Sequence, residues 1–172
     1  MSELNIPSKV IFFMSCLYDE AYEKKLHEIL LANFGNYSTF YHDYFPMKEY
    51  YSKEMGADLK RVFVFFSEPI EMNSLVDLKI KCDQLEREYR YSEARSINLD
   101  PGYISPSQVI LSSGKPYNHR VYLDRGVYAE LCYQFERKSF NILPWTYPDY
   151  SHPEIIQAFN ITRELNFFHK TL

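Results

Sequence analysis

Glycine is scarce in this chain, five in 172 residues, and no G-x-x-x-x-G-K-[S/T] string occurs. A phosphate cradle built from the backbone N–H groups of a glycine-rich loop is thereby excluded. Cysteine is scarcer: Cys16, Cys82 and Cys132 lie far apart and form no C-x-x-C pair. That excludes a structural zinc site of paired cysteines and leaves the expectation of reduced, buried thiols in a cytoplasmic setting. Neither H-E-x-x-H nor G-x-S-x-G is present, so the metalloprotease helix and the serine-hydrolase elbow are missing. Positive charge is not in excess, with 19 Lys and Arg against 23 Asp and Glu, and no broad nucleic-acid surface is expected. Lys53, Lys60 and Arg61, the nearest approach to a basic cluster, read as solvated surface. The apolar run from Val10 to Cys16 is too short for a membrane span or a secretory core.

Aromatic residues are abundant instead. Sixteen Tyr and thirteen Phe, within 46% hydrophobic residues overall, supply enough apolar area for one core and argue for a single domain over 1–172. Val10 to Cys16 reads as a central strand buried on both faces. Asp19 then caps a helix carrying Tyr22, Leu26, Ile29, Leu30 and Phe34 at helical spacing, closed by Gly35. Ser38 to Phe45 and Arg61 to Phe66 read as strands, the first ended by Pro46 and the second stopped by Pro69, with a helical turn near Tyr50 to Gly56 between them. Asn73 caps a second helix with Leu75, Leu78, Cys82, Leu85 and Tyr89 along one face, and Arg95 to Leu99 forms a further strand. Strand, helix, strand, strand, helix, strand is the order of an α+β, ferredoxin-like βαββαβ core.

The rest extends that core. Ser105 with Pro106 predicts a short helical turn, and Pro153 opens a terminal helix burying Ile155, Ile156, Phe159, Leu165 and Phe168. Between them lies a β-hairpin. A three-residue loop, Asp124-Arg125-Gly126, puts Val121, Leu123, Val127, Ala129, Leu131, Tyr133 and Phe135 on one face. This register sets Arg120 opposite Glu130 and Tyr122 opposite Tyr128, and places His119 on the apolar face, away from Arg120.

Chemistry-bearing residues fall into two sets. Asp100-Pro101-Gly102-Tyr103 follows a strand and predicts a type II turn in which Asp100 either accepts backbone N–H bonds or acts as a general base or metal ligand. Asp100, Glu130 and Asp149, with His119, would suit Mg or Mn if they converged. Arg120, Tyr122, Tyr128, Trp145 and Tyr147 form the second set, an anion contact among stacking surfaces.

Four strings, Asn98 to Tyr103, His119 to Leu123, Gly126 to Glu130 and Pro144 to Tyr150, resemble a bacterial and archaeal family catalogued as domain of unknown function 4416. The resemblance extends over nearly the whole chain, including Tyr50-Tyr51 and Glu54-Met55-Gly56. Members of that family sometimes carry the label "GTP-binding protein", which implies a nucleotide ligand. Three readings stand: a module binding a small, nucleotide-like molecule; a metal-dependent hydrolase or transferase using the clustered carboxylates; and a structural protein that binds a macromolecular partner. The residues indicate no particular cofactor and no oligomeric state, and no membrane association is expected.

Overall fold

The first strand dictates the layering. In β1 (Val10–Asp19), Phe12, Met14, Cys16 and Tyr18 point to one face and Ile11 and Phe13 to the other, and both rows are buried. A strand buried on both faces needs neighbours at both edges and cover on both sides. The computed structural model, which describes residues 3–91 and 94–168, supplies both. β1 lies antiparallel between β3 (Leu59–Ile70) and β6 (Ile97–Ile104). β2 (Tyr37–Tyr41) extends the sheet beyond β3; β7 (Gln108–Ser113), β9 (Val127–Glu136) and β10 (Ser139–Ile142) extend it beyond β6. β8 (Val121–Asp124) pairs with the start of β9, completing an eight-stranded antiparallel sheet. Two short strands, β4 (Arg90–Tyr91) and β5 (Ala94–Arg95), pair apart from it.

Helices cover both faces. Leu26, Ile29 and Leu30 of α1 (Glu23–Phe34) and Cys82 and Leu85 of α3 (Leu75–Glu88) pack on the row that holds Met14, Val62 and Leu99. On the opposite face α4 (Pro153–Phe167) inserts Phe159 edge-on against Phe13 at 4.9 Å and against Tyr133 and Phe65 at 5.3 Å. Such aromatic pairs add about 0.5–1.5 kcal/mol each beyond the area they bury. α2 (Lys48–Met55) closes the sheet's end, where Met55 meets Leu17 and Leu59. Among the described residues no helix is long and apolar enough to cross a membrane.

The α+β class therefore holds, while several local expectations fail for identifiable reasons. Asp100-Pro101-Gly102-Tyr103 is no turn; it runs through the middle of β6, with Asp100 opposite Ser15 and Pro101 opposite Met14. β7 pairs with β6 only from Gly102 onward, so the missing N–H of Pro101 breaks no ladder bond there, and its carbonyl accepts from Ser112 Oγ at 2.7 Å. Gly102 is required by proximity, because a Cβ there would collide with the Ile110 carbonyl oxygen and the Phe13 ring. β3 passes through Pro69 to Ile70 because β2 accompanies it only as far as Phe66. Ser105 and Pro106 turn β6 directly into β7, with Ser105 Oγ accepting the Gln108 N–H at 2.9 Å, where a helical turn was expected.

The β8–β9 loop contains two residues, Arg125 and Gly126, both at positive φ (47° and 81°), and the register slips between Tyr122 and Asp124. Tyr122 still faces Tyr128, because the slip absorbs the residue that a three-residue loop would have held. A second irregularity, between Val109 and Ile110 of β7, spans Tyr133 and Leu131 of β9 and turns both Cys132 and Tyr133 into the core. The expected apolar row is not continuous: Val121 and Leu123 are exposed. Leu165 and Phe168, expected on the buried face of the last helix, are exposed as well, because Phe167 is the residue of that turn that packs on the core.

Candidate functional site

Burying a charge is costly unless a partner compensates it, so the location of buried charge is informative. Among the described residues the buried charged side chains are Arg61, Glu86, Arg120, Glu130 and Asp149. All five gather at one place. Arg61, Glu86, Arg120 and Asp149 line a cavity of about 340 Å³, and Glu130 stands directly behind Arg120.

Each comes from a different element. Arg61 shares the inward phase of β3 with Phe63 and Phe65, and its guanidinium lies 4.8 Å from the Phe45 ring. Glu86 follows Cys82 by one helical turn on α3, and Asp100 lines the cavity from β6. Arg120 precedes β8, and Asp149 belongs to the 3₁₀ turn Pro148–Tyr150, set by Pro148 at its first position. Tyr51 reaches in from α2.

Within the cavity the cations are matched to carboxylates. Arg61 Nη1 contacts Asp149 Oδ2 at 2.5 Å, and the Met47 backbone N–H bears on the same carboxylate; among the described residues Arg61 Nε has no hydrogen-bond partner. Lys79 Nζ donates to Asp100 Oδ1 at 3.0 Å and to the Leu99 carbonyl at 3.2 Å, and Asn98 Nδ2 donates to Asp100 Oδ2 at 2.7 Å. Glu86 accepts the Leu99 N–H at 2.7 Å and Arg95 Nη1 at 3.2 Å; Arg95 also grips Glu54 with two bonds of 2.7 and 2.9 Å. Arg120 donates from Nε to Glu130 (2.6 Å), from Nη1 to Ser113 Oγ (2.7 Å) and the Lys115 carbonyl (2.9 Å), and from Nη2 to Tyr147 Oη (2.6 Å). Those bonds use four of its five N–H groups, so Arg120 chiefly holds the Ser113–Lys115 loop and Tyr147 in place.

The electrostatics divide the carboxylates. Burial alone would raise Asp100, but the Lys79 ammonium, hydrogen bonds from Lys79 and Asn98, and Arg61 outweigh it and hold this carboxyl below its ordinary value. Burial prevails at Asp149 and Glu86, which are raised despite Arg61 beside the first and Lys79 near the second. Tyr51 is pushed up to about 12 by burial and then by Asp100.

Of the residues singled out in the sequence, Asp100, Asp149, Arg120 and Tyr147 line this one cavity, and Glu130 supports it. His119 was expected on the face away from Arg120. It lies before β8 starts, free of strand alternation, and its Nε2 meets the same Glu130 Oε2 at 3.1 Å. Its ring stacks on Trp145 at 5.5 Å, and Trp145 Nε1 donates to the Leu131 carbonyl. Tyr122 and Tyr128 pack edge-to-face at 5.3 Å outside the cavity, with Tyr122 57% exposed.

Asp100, Glu130 and Asp149 each sit on a separate cation, and they do not form a converging group of three ligand atoms. Among the described residues such a group, within 4.8 Å, is His42, His152 and Glu154. There His42 Nδ1 accepts the Tyr44 N–H at 3.0 Å and His152 Nδ1 accepts the Glu154 N–H at 3.3 Å. His42 Nε2 in turn meets Glu154 Oε2 at 3.1 Å. The cluster is a hydrogen-bonded cap at the start of α4.

Arg61, read from the sequence as solvated surface beside Lys53 and Lys60, is instead buried, and Lys79, Glu86 and Arg95 were given no role in a site. Alternation of Leu59, Arg61, Phe63 and Phe65 marks Arg61 as inward-facing, and the Cys82–Glu86 spacing of four marks Glu86 likewise. Both signals were masked by the default that charge lies on the surface.

A family model described as Domain of unknown function (DUF4416) matches residues 7–165. No curated protein and no solved structure matches the chain.

Proposed function

The chain belongs to the DUF4416 family, whose description names no ligand, and we propose that it is a binding protein for a small polar molecule held in the cavity beside β6 and the Pro148–Tyr150 turn. The observation that carries this reading is the collection of every buried charged side chain, among the described residues, around one cavity. Apolar side chains of similar volume would pack there at equal or lower cost, so stability alone does not account for keeping these charges. The volume lies at the lower end of the range for small-molecule sites, and Tyr51 and Tyr147 add aromatic surface to the lining, which suits a nucleoside-like ligand. Three free buried thiols, Cys16, Cys82 and Cys132, support a reducing, cytoplasmic setting.

One observation favours a catalytic variant of the same site. Asp149 is raised by burial despite Arg61 and the Met47 backbone N–H beside it, as is a carboxyl suited to proton transfer.

The test is a thermal-shift screen of small polar metabolites. A ligand at one hundred times its Kd stabilises by about 2.7 kcal/mol, which moves the midpoint of a chain this size by about 5–11 °C. The shift should vanish in Arg61→Met. A shift that survives Arg61→Met, or a broad screen with none, would count against the proposal.

A further inference from the structure

We infer that the cavity selects an uncharged or zwitterionic molecule and rejects phosphorylated ones. This rests on the binding reading above and goes further by setting the charge of the ligand. Arg61, Lys79, Arg95, Lys115 and Arg120 line the cavity, and four of these five cations are already committed. Asp149, Asp100, Glu86 and Glu130 lie 2.5–3.2 Å from them, and Glu54 adds a second carboxylate on Arg95. Lys115 is exposed; among the described residues it forms no ion pair and feels Glu54 only at longer range. Asp83, the remaining acid of the lining, is paired with Arg87.

A phosphate entering this site meets Asp100, Asp149 and Glu86 in the same lining as the cations. To gain a guanidinium or ammonium it must first strip away a carboxylate, which then remains buried and unpaired. A neutral or zwitterionic ligand meets no such conflict, because it can accept from the cations and donate to the carboxylates without separating the pairs. The scarcity of glycine removes the alternative of a backbone cradle: Gly114 is the sole glycine of the lining.

The decisive experiment is calorimetric titration of the full chain, at constant ionic strength, with matched pairs: guanosine and GTP, glucose and glucose 6-phosphate, and pyrophosphate alone. The inference expects at least one unphosphorylated member to bind at least tenfold more tightly than its phosphorylated partner, with no pyrophosphate binding. Asp149→Asn should release Arg61 and create pyrophosphate affinity that the native chain lacks; Asp100→Asn, releasing Lys79, serves the same purpose if the first variant does not fold. Tighter or equal binding of the phosphorylated members by the native chain overturns the inference and leaves the cavity as a ligand site. Failure of every member to bind overturns the binding reading itself and the inference with it.

Discussion

Arg120 and Glu130 offer a perturbation whose size follows from the structure. Glu130 is fully buried; it accepts from Arg120 Nε at 2.6 Å, meets His119 Nε2 at 3.1 Å and takes a long bond from Cys132 Sγ at 3.9 Å. Arg120→Met deletes the four bonds that Arg120 donates and leaves a buried carboxylate facing an imidazole. Breaking a buried pair from one side costs about 3–5 kcal/mol, which for a domain of this length lowers the thermal midpoint by about 6–20 °C. Glu130→Leu should cost a similar amount, because it strands the guanidinium. The double variant Arg120→Met/Glu130→Leu removes both charges and should fall short of the sum of the singles by about 2 kcal/mol or more. Urea denaturation of the four proteins measures this, followed by circular dichroism and by fluorescence of Trp145, the single tryptophan, which stacks on His119. Single costs under about 1 kcal/mol, or an additive double, would refute the argument that this pair is desolvated and mutually dependent.

Gly102→Ala should destabilise by about 1–3 kcal/mol or more, since the new methyl group meets the Ile110 carbonyl on one side and Phe13 on the other; denaturant titration reads the loss. Asp100 is held below its ordinary value, so its stabilising contribution is complete at neutral pH and is lost as pH falls from the unfolded value, about 3.9, through the lower folded one. Asp100→Asn should therefore be less stable than the native chain at neutral pH, and the difference should close in acid; a pH series of melting curves that shows a constant gap contradicts the assignment. His152→Ala should cost about 0.5–2 kcal/mol through loss of the α4 cap, visible as earlier melting with no change in ligand titration.

Much of the scaffold was legible because its signals are local. The two-faced burial of β1 follows from an unbroken apolar run, and α1 and α3 follow from spacings of three and four. The Arg120–Glu130 contact followed from hairpin register even though the loop was misjudged, since the slip at Leu123 restored the pairing that the loop had shifted. Pro101-Gly102 misled because both residues have two uses: turn geometry, and tolerance of a missing N–H or a close neighbour. Here the second applied. The site itself was half legible. Asp100, Arg120, Tyr147 and Asp149 were identified one at a time, but their meeting with Arg61 and Glu86 depends on sheet order and on the docking of Pro148–Tyr150, which no spacing in the chain encodes.

The central claim is that these buried charges are kept for a ligand and not for the fold. The most direct measurement is the stability of Arg61→Met/Asp149→Leu, which replaces a nearly inaccessible ion pair by apolar groups between Phe45, Phe63 and Tyr150. The account predicts equal or greater stability than the native chain, because apolar replacement of a buried pair is neutral or favourable by about 1–4 kcal/mol, together with loss of any ligand-induced shift. A loss of about 3 kcal/mol or more would show that the pair holds the fold together, and would contradict the claim.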